Sequence, residues 1–271
     1  MSIDVVIPTC NNLETKNSSI FYTIKSVLSQ SVQPRKINIV ENANFEPTKI
    51  YIEEEFGKLV NVIDGTAKSK NISFARNIGA KNGNAELIVF IDDDVVLARN
   101  HYFETLILRM RQVDFCCGAA RYWTRTDWKS YLDKSYHISH IQNILRYKTY
   151  LPSSIERVTG NPSYHEFSFI GNFGTIKRKV FEKVRGFDEN YKEWSYQDTD
   201  LMMRLCMEGF HYFILSHENI SVYHLSHGVD KSTYLEHNKK LFQSKQKEIG
   251  LDFHLNHFFG IFDDDNYPIL S

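Results

Sequence analysis

Three consecutive carboxylates, Asp92-Asp93-Asp94, follow the apolar run Leu87-Ile-Val-Phe-Ile91. Like charges this close repel and raise one another's pKa, so the arrangement calls for a positive partner. A divalent cation with oxygen ligands is the economical choice, because Mg2+ or Mn2+ takes one or two carboxylates and completes its shell with substrate phosphates and water. A solvated acidic turn is the competing reading, and the preferred one for the second triplet, Asp263-Asp-Asp265, which has few residues left to build a site around it. Asp198 and Asp200 fall at the start of a helix-period stretch. There a carboxylate caps free N–H groups and complements the helix dipole, or, in a cleft, serves as a general base. Among the 11 histidines, His224 ends the apparent strand Ser221-Val-Tyr-His224, and His227 follows shortly after.

These residues need elements to position them. Val5-Val-Ile7 opens a strand that Pro8 should stop. Asn17 to Ser31 carries one helical stripe of Ile20, Phe21, Ile24, Val27 and Leu28. Strands are expected at Ile37 to Val40 and Val60 to Ile63, with a helix over Glu46 to Phe56. A second helix is expected over Ser73 to Asn82, with Ile78 and Ala80 inward and Gly83-Asn84 as its C-terminal cap. The strand Leu87 to Ile91 then delivers the first triplet at its carboxyl end, where open α/β sheets bind ligands. Further on come a helix near Tyr102 to Arg111, a strand near Phe115 to Ala120, and an unpatterned stretch, Arg121 to Phe167. The remainder is expected as helices over Lys179 to Val184, Asp198 to Met207 and Ser232 to Ile249, with extended segments at Tyr212 to Leu215 and Ser221 to His224. The alternation of strands and helices is the βαβ rhythm of a mostly parallel sheet.

Composition sets limits on function. With 32 Lys+Arg against 33 Asp+Glu, the formal charge of −1 excludes a generic polycation that binds nucleic acid. The chain is 42% hydrophobic and 14% aromatic, as ordinary globular proteins are, and its apolar runs are far shorter than a bilayer requires. The acidic N-terminus has no signal-peptide pattern, so a cytoplasmic location is expected. Four cysteines without C-x-x-C spacing disfavour structural zinc and disulfide stapling. The Lys231, Lys239, Lys240, Lys245 and Lys247 series is more simply a solvated helix face than a contact with the inner membrane surface.

Asn71-Ile-Ser-Phe-Ala-Arg-Asn-Ile-Gly79 and Asn84-Ala-Glu-Leu-Ile-Val-Phe-Ile-Asp-Asp-Asp94, together with Val6-Ile-Pro-Thr9, resemble the nucleotide-sugar half of glycosyltransferase family 2. Gly186-Phe-Asp-Glu189 and Tyr196-Gln-Asp-Thr-Asp-Leu-Met-Met-Arg204 resemble the family's later segments and the C-terminal region of galactosyl- and N-acetylgalactosaminyltransferases. Two departures are visible. Val40-Glu-Asn-Ala-Asn44 stands where two aspartates and Gly-Ser are common, and Gln197 stands where Glu is usual.

The resemblance implies a GT-A fold, an α/β architecture with a mostly parallel, Rossmann-like central sheet flanked by helices and an inserted acceptor-side lobe. Residues 1–120 would form the nucleotide-sugar half, 121–230 the acceptor-binding and catalytic half, and 231–271 a C-terminal helix and tail. It implies a metal-dependent, inverting transfer of a hexose (Gal, GalNAc, Glc or GlcNAc) from a UDP-sugar to a hydroxyl of a glycan or glycoconjugate. Asp198 is then the general base; Asp94, Asp92 and His224 hold Mn2+ or Mg2+, with His227 a weaker candidate. Asp92, Asp93, Pro8, Thr9, Glu41 and Arg76 are assigned to the donor nucleotide, and Gly171 and Asn172 border the donor sugar. Trp194 either stacks on a sugar face or is an ordinary half-buried indole. The rivals are a non-catalytic sugar-nucleotide-binding module, for which Gln197 speaks, and a nucleotidyltransferase, which Cys10-Asn-Asn-Leu-Glu14 disfavours because it is no Gly-rich phosphate loop.

Overall fold

The computed structural model describes residues 1–10, 19–117, 119–123, 173–215, 220–225 and 233–249. Gly171, Asn172, His227, Lys231, Asp263–Asp265 and most of the expected acceptor-side lobe lie outside them. Strands β1 (Ile3–Thr9), β2 (Lys36–Glu41), β3 (Asn61–Asp64) and β4 (Leu87–Ile91) lie parallel in the order β3-β2-β1-β4. The sheet continues through β8 (Phe173–Lys177), antiparallel to β4, to β6 (Phe115–Cys117) and β9 (Tyr212–Ile214), so chain before and after residue 120 shares one sheet. A second sheet orders β5 (Val95–Leu97), β10 (Ser221–His224) and β7 (Ala120–Trp123).

The period of two along buried strands distributes side chains to both faces of the large sheet. Ile3, Val5 and Ile7 of β1, with Leu87, Val89 and Ile91 of β4, join one core cluster. Helices α1 (Ser19–Leu28), α2 (Phe45–Phe56) and α4 (Tyr102–Arg109) cover it with Ile20, Ile24, Val27, Ile52, Phe56, Phe103 and Leu106. Val6, Ile88 and Phe90 point to the opposite face, under α3 (Ile72–Lys81), α5 (Arg178–Lys183) and α6 (Gln197–Met207). Helix α7 (Leu235–Glu248) packs Phe242 against Tyr191 and Met203.

Several expected details differ. Pro8 does not stop β1, which runs on to Thr9: the ladder with β4 ends at Val6, so the missing Pro8 N–H faces no β4 partner. Gly83 is not a left-handed cap, as its φ is not positive; a Cβ there would stand 2.2 Å from Asp4 Oδ2, so space rather than backbone freedom requires glycine. Helix α3 buries Ala75, Arg76, Gly79 and Ala80, while Ile78 is only half-buried. Phe115 to Ala120 is not one strand: β6 and β7 belong to different sheets.

Candidate active site

The carboxyl end of β4 turns sharply, with Val95 N–H donating to Asp92 O (3.1 Å), and spreads the three aspartates to three different partners. Asp92 Oδ1 accepts from Arg76 Nη2 at 2.8 Å. Asp93 Oδ2 accepts from Thr9 Oγ1 at 2.6 Å, and its carbonyl accepts from Thr23 Oγ1 at 3.0 Å, fixing the turn to β1 and α1. Asp94 meets His224: Nε2 stands 3.4 Å from Asp94 Oδ2, both side chains being about one-tenth exposed. Strand β10 sets this pairing, since His224 is in antiparallel register with Val95 and Leu225 N–H donates to Asp94 O at 2.8 Å.

Arg76 is the hinge between the two halves of the sequence pattern. Its second terminal nitrogen, Nη1, donates to Asp198 Oδ1 at 3.0 Å, so one guanidinium holds Asp92 and Asp198 together. The residue is 1% exposed and lies 5.1 Å over the Phe187 ring. Burial works against its charge, but the carboxylates of Asp198 and Asp92 more than offset this, and its pKa is raised. Arg76, expected from sequence at the nucleotide, pairs with two acids in this structure. Glu41 is likewise buried, at 0% exposure: Oε1 accepts from the N–H groups of Ala43 and Asn44, and Oε2 from Thr48 Oγ1, so its carboxylate organises the entry to α2. Neighbouring Asn42, 3% exposed, donates to Asn71 O, and its Oδ1 has no partner among the described residues.

The Ala-Arg-Asn-x-Gly helix docks the later motif. Asn77 donates to Phe187 O (2.8 Å) and Glu189 Oε1 (2.9 Å) and accepts from Phe187 N–H (2.9 Å). Asn71 caps α3 through Phe74 N–H and donates to the carbonyls of Glu189 and Tyr191. Lys68, half-exposed, pairs with Glu189 at 2.5 Å. Gly186 takes φ +68, and a Cβ on it would meet Asn77 Oδ1 at 2.5 Å, so no other residue fits this turn without displacing the helix. The turn in turn presents α6, whose first turn carries Asp198, with a side chain 23% exposed, and Asp200, with none exposed. Asp200 accepts from Arg204 Nε (2.8 Å), Lys245 Nζ (2.6 Å) and Tyr191 OH (3.2 Å), which makes it the helix's anchor. Burial and the Asp200 charge push the Tyr191 hydroxyl well above its ordinary pKa, so it remains a donor.

A cavity of about 500 Å3 opens beside this assembly, lined by Lys68, Lys70, Asn71, Lys192, Glu193 and Tyr234 among others. Cys10, at the mouth of β1, is pushed up to about 11 by desolvation first and then by the charges of Asp93 and Glu41, with Lys70 opposing. Pro8 and Thr9 are buried there, whereas Trp194 is 42% exposed. Among the described residues no three His, Cys, Asp or Glu side chains gather as one metal-binding group; Asp94 and His224 come together, and Asp92 turns away to Arg76. Asn71, Asn77 and Tyr191 had no assigned role from sequence, although Asn71 and Asn77 stood inside the quoted motif; Lys245, read as part of a solvated helix face, instead donates to Asp188 and Asp200.

The mostly parallel sheet, its antiparallel extension and the aspartates at the β4 end define a GT-A fold. The model of Glycosyl transferase family 2 matches residues 4–185, and the chain belongs to that family. Residues 154–228 also match the N-terminal domain of galactosyltransferase. A glucosyl-dolichyl phosphate glucuronosyltransferase of Haloferax volcanii is 30% identical over 108 residues, which is 40% of this chain and 33% of that protein. S. aureus TarS 1–349 in complex with UDP-GlcNAc superposes with TM-score 0.61 at 16% identity, covering 95% of this chain and 67% of that one. The mannosyltransferase PcManGT from Pyrobaculum calidifontis, in complex with GDP-Man and Mn2+, gives 0.57 at 15% identity, covering 86% and 58%. The chain therefore spans about a third of the curated relative and somewhat over half of the mannosyltransferase chain.

Proposed function

We propose that the protein transfers a hexose from a UDP-sugar to a hydroxyl of a glycan or glycoconjugate, with inversion. The observation that carries this reading is the Arg76 bridge, which fixes a donor-side acid, Asp92, and an acid of the acceptor half, Asp198, on one buried cation. Asp198 retains partial exposure, its side chain being 23% exposed, on which an incoming alcohol can approach. As the acceptor oxygen bonds to the anomeric carbon, the bond from that carbon to the diphosphate oxygen breaks. The electron pair leaves with UDP and the alcohol proton passes to Asp198. Alignment of the two reactants removes part of the entropic barrier.

Asp94 and His224 fit a divalent cation: a carboxylate oxygen and an imidazole nitrogen face each other, little exposed, a donor set that suits Mn2+ better than Mg2+. Such a cation supplies neutralisation of the charge that develops on the leaving diphosphate. Arg76 and Glu41 act here by positioning, Arg76 for the two acids and Glu41 for the β2 end, where Asn42 is the remaining polar group for the base. Thr9 orients Asp93 toward the ribose or sugar. The match to the galactosyltransferase domain and the UDP-GlcNAc complex of TarS favour a uridine donor.

Release of UDP from UDP-Gal, UDP-GalNAc, UDP-Glc and UDP-GlcNAc, with Mn2+ and an oligosaccharide acceptor panel, tests the reading. Acceptor-dependent UDP release is expected. Binding of UDP-sugars with no release under any acceptor would leave the binding-module alternative, and pyrophosphate release would indicate nucleotidyl transfer.

A further inference from the structure

Helix α7 begins after residue 228, where the second family match ends, yet it reaches into the segment that leads to Asp198. Between Lys192 and Asp198 three non-glycine residues occupy the left-handed region: Glu193 (φ 50), Ser195 (φ 113) and Tyr196 (φ 61). Conformations of this kind persist only where the surroundings over-determine them, and they concentrate at functional sites. Here the surroundings are supplied by α7 and the residues that lead into it, with Asn238 making the most hydrogen bonds. Asn238, 0% exposed, accepts from Lys192 N–H (2.9 Å) and donates to Lys192 O (2.7 Å) and Ser195 Oγ (2.9 Å), with longer approaches to the carbonyls of Trp194 (3.4 Å) and Ser195 (3.5 Å). Glu193 is held from the same side by Thr233, and the Tyr196 ring packs on Phe242.

We propose that Asn238 is a positioning residue for the acceptor side of the site. It fixes the backbone of Lys192–Ser195 and thereby sets where the Trp194 indole and the Asp198 carboxylate stand. The inference rests on the transferase reading of Asp198. Asparagine is a poor helix former, and this one spends both ends of its amide on a neighbouring segment rather than on its own helix. Packing alone would be met by leucine; simultaneous donation and acceptance at a buried point requires an amide. Trp194, whose carbonyl approaches Asn238, is 42% exposed and stands four residues before Asp198 in the chain.

The test uses the full chain carrying Trp123→Phe and Trp128→Phe, so that Trp194 is the single fluorophore of the original 3 tryptophans. Asn238→Ala is expected to raise acrylamide quenching of Trp194 and to lower kcat by about 10²-fold, the scale of an ångström-sized misplacement. UDP affinity by calorimetry should stay within about twofold, because the donor half is untouched. Asn238→Asp, which keeps the acceptor and loses the donor, gives the same pattern and replaces the alanine variant should that one not fold. A folded variant with unchanged Trp194 quenching, or with changed quenching and unchanged kcat, overturns the proposal. Absence of turnover in the parent chain overturns the transferase reading instead, and the quenching difference then decides by itself whether Asn238 sets the segment.

Discussion

A guanidinium buried to 1% exposure has little water around it, and the carboxylates of Asp198 and Asp92 together keep its charge there. This ties the end of β4 to the start of α6. Asp198→Asn keeps an oxygen to accept from Arg76 but removes the proton acceptor, so kcat should fall by about 10²–10⁴-fold. Calorimetric binding of UDP should be unchanged; an active variant would remove Asp198 from the base role. Asp94→Ala takes one of two facing ligand groups from the proposed cation position, and Mn2+ should then no longer strengthen UDP binding in a titration. Identity was more legible than role at this scale. The triplet, the buried Arg and the late acid are all visible as residue types in short motifs. What they face is not, because Arg76 and Asp198 are 122 residues apart. For Glu41 a local signal did exist: its three donors, Ala43, Asn44 and Thr48, lie within one turn of a helix start, so the acid could have been read as a cap.

At the scale of elements, α3 is the part that most of the site rests on, and its close approach to the sheet depends on Gly79. A Cβ there would stand 2.5 Å from Val6 Cγ1 and 3.0 Å from Val40 Cγ2, both on central strands. Gly79→Ala should therefore destabilise by about 1–3 kcal/mol despite alanine's better helix propensity. Thermal melting should show a lowered Tm, by roughly 2–4 °C for each kcal/mol; an unchanged or raised Tm would mean that the valines yield freely. Strands β1 and β4 were legible because a fully buried parallel strand is a largely apolar run, whereas β3, at the sheet edge, is only half-buried. The division of Phe115–Trp123 between two sheets was not legible, since the side-chain period is identical whichever sheet a strand joins. The tilt of α3 was hidden for a related reason: small residues, not the large Ile78, face the sheet.

Across the whole molecule charges act locally, as a formal net charge of −1 leaves no general field to steer a dianionic donor. The junction of α7 with the rest is one such locality. Burial raises the Asp188 carboxyl, but the hydrogen bond from Lys245 at 2.5 Å, the Asn190 N–H and the lysine charge outweigh it, and the pKa lies below the ordinary value. A depressed carboxylate contributes stability that is present above its unfolded pKa and lost as pH falls through the folded one. Asp188→Asn should consequently lower Tm at neutral pH, and the gap to the parent should close on acidification below about pH 4; a gap independent of pH would assign the loss to packing. A different consequence follows from Asp4, a wholly buried acid in the central strand whose Oδ2 is matched by Ala85 N–H and by Arg178 Nη2, 174 residues later. A ribosome working at about 5–20 residues per second supplies that arginine roughly 9–35 s after the aspartate. For much of that interval the emerging polypeptide can offer the acid only the Ala85 N–H, and the amino-terminal portion completes its centre once translation has passed position 178.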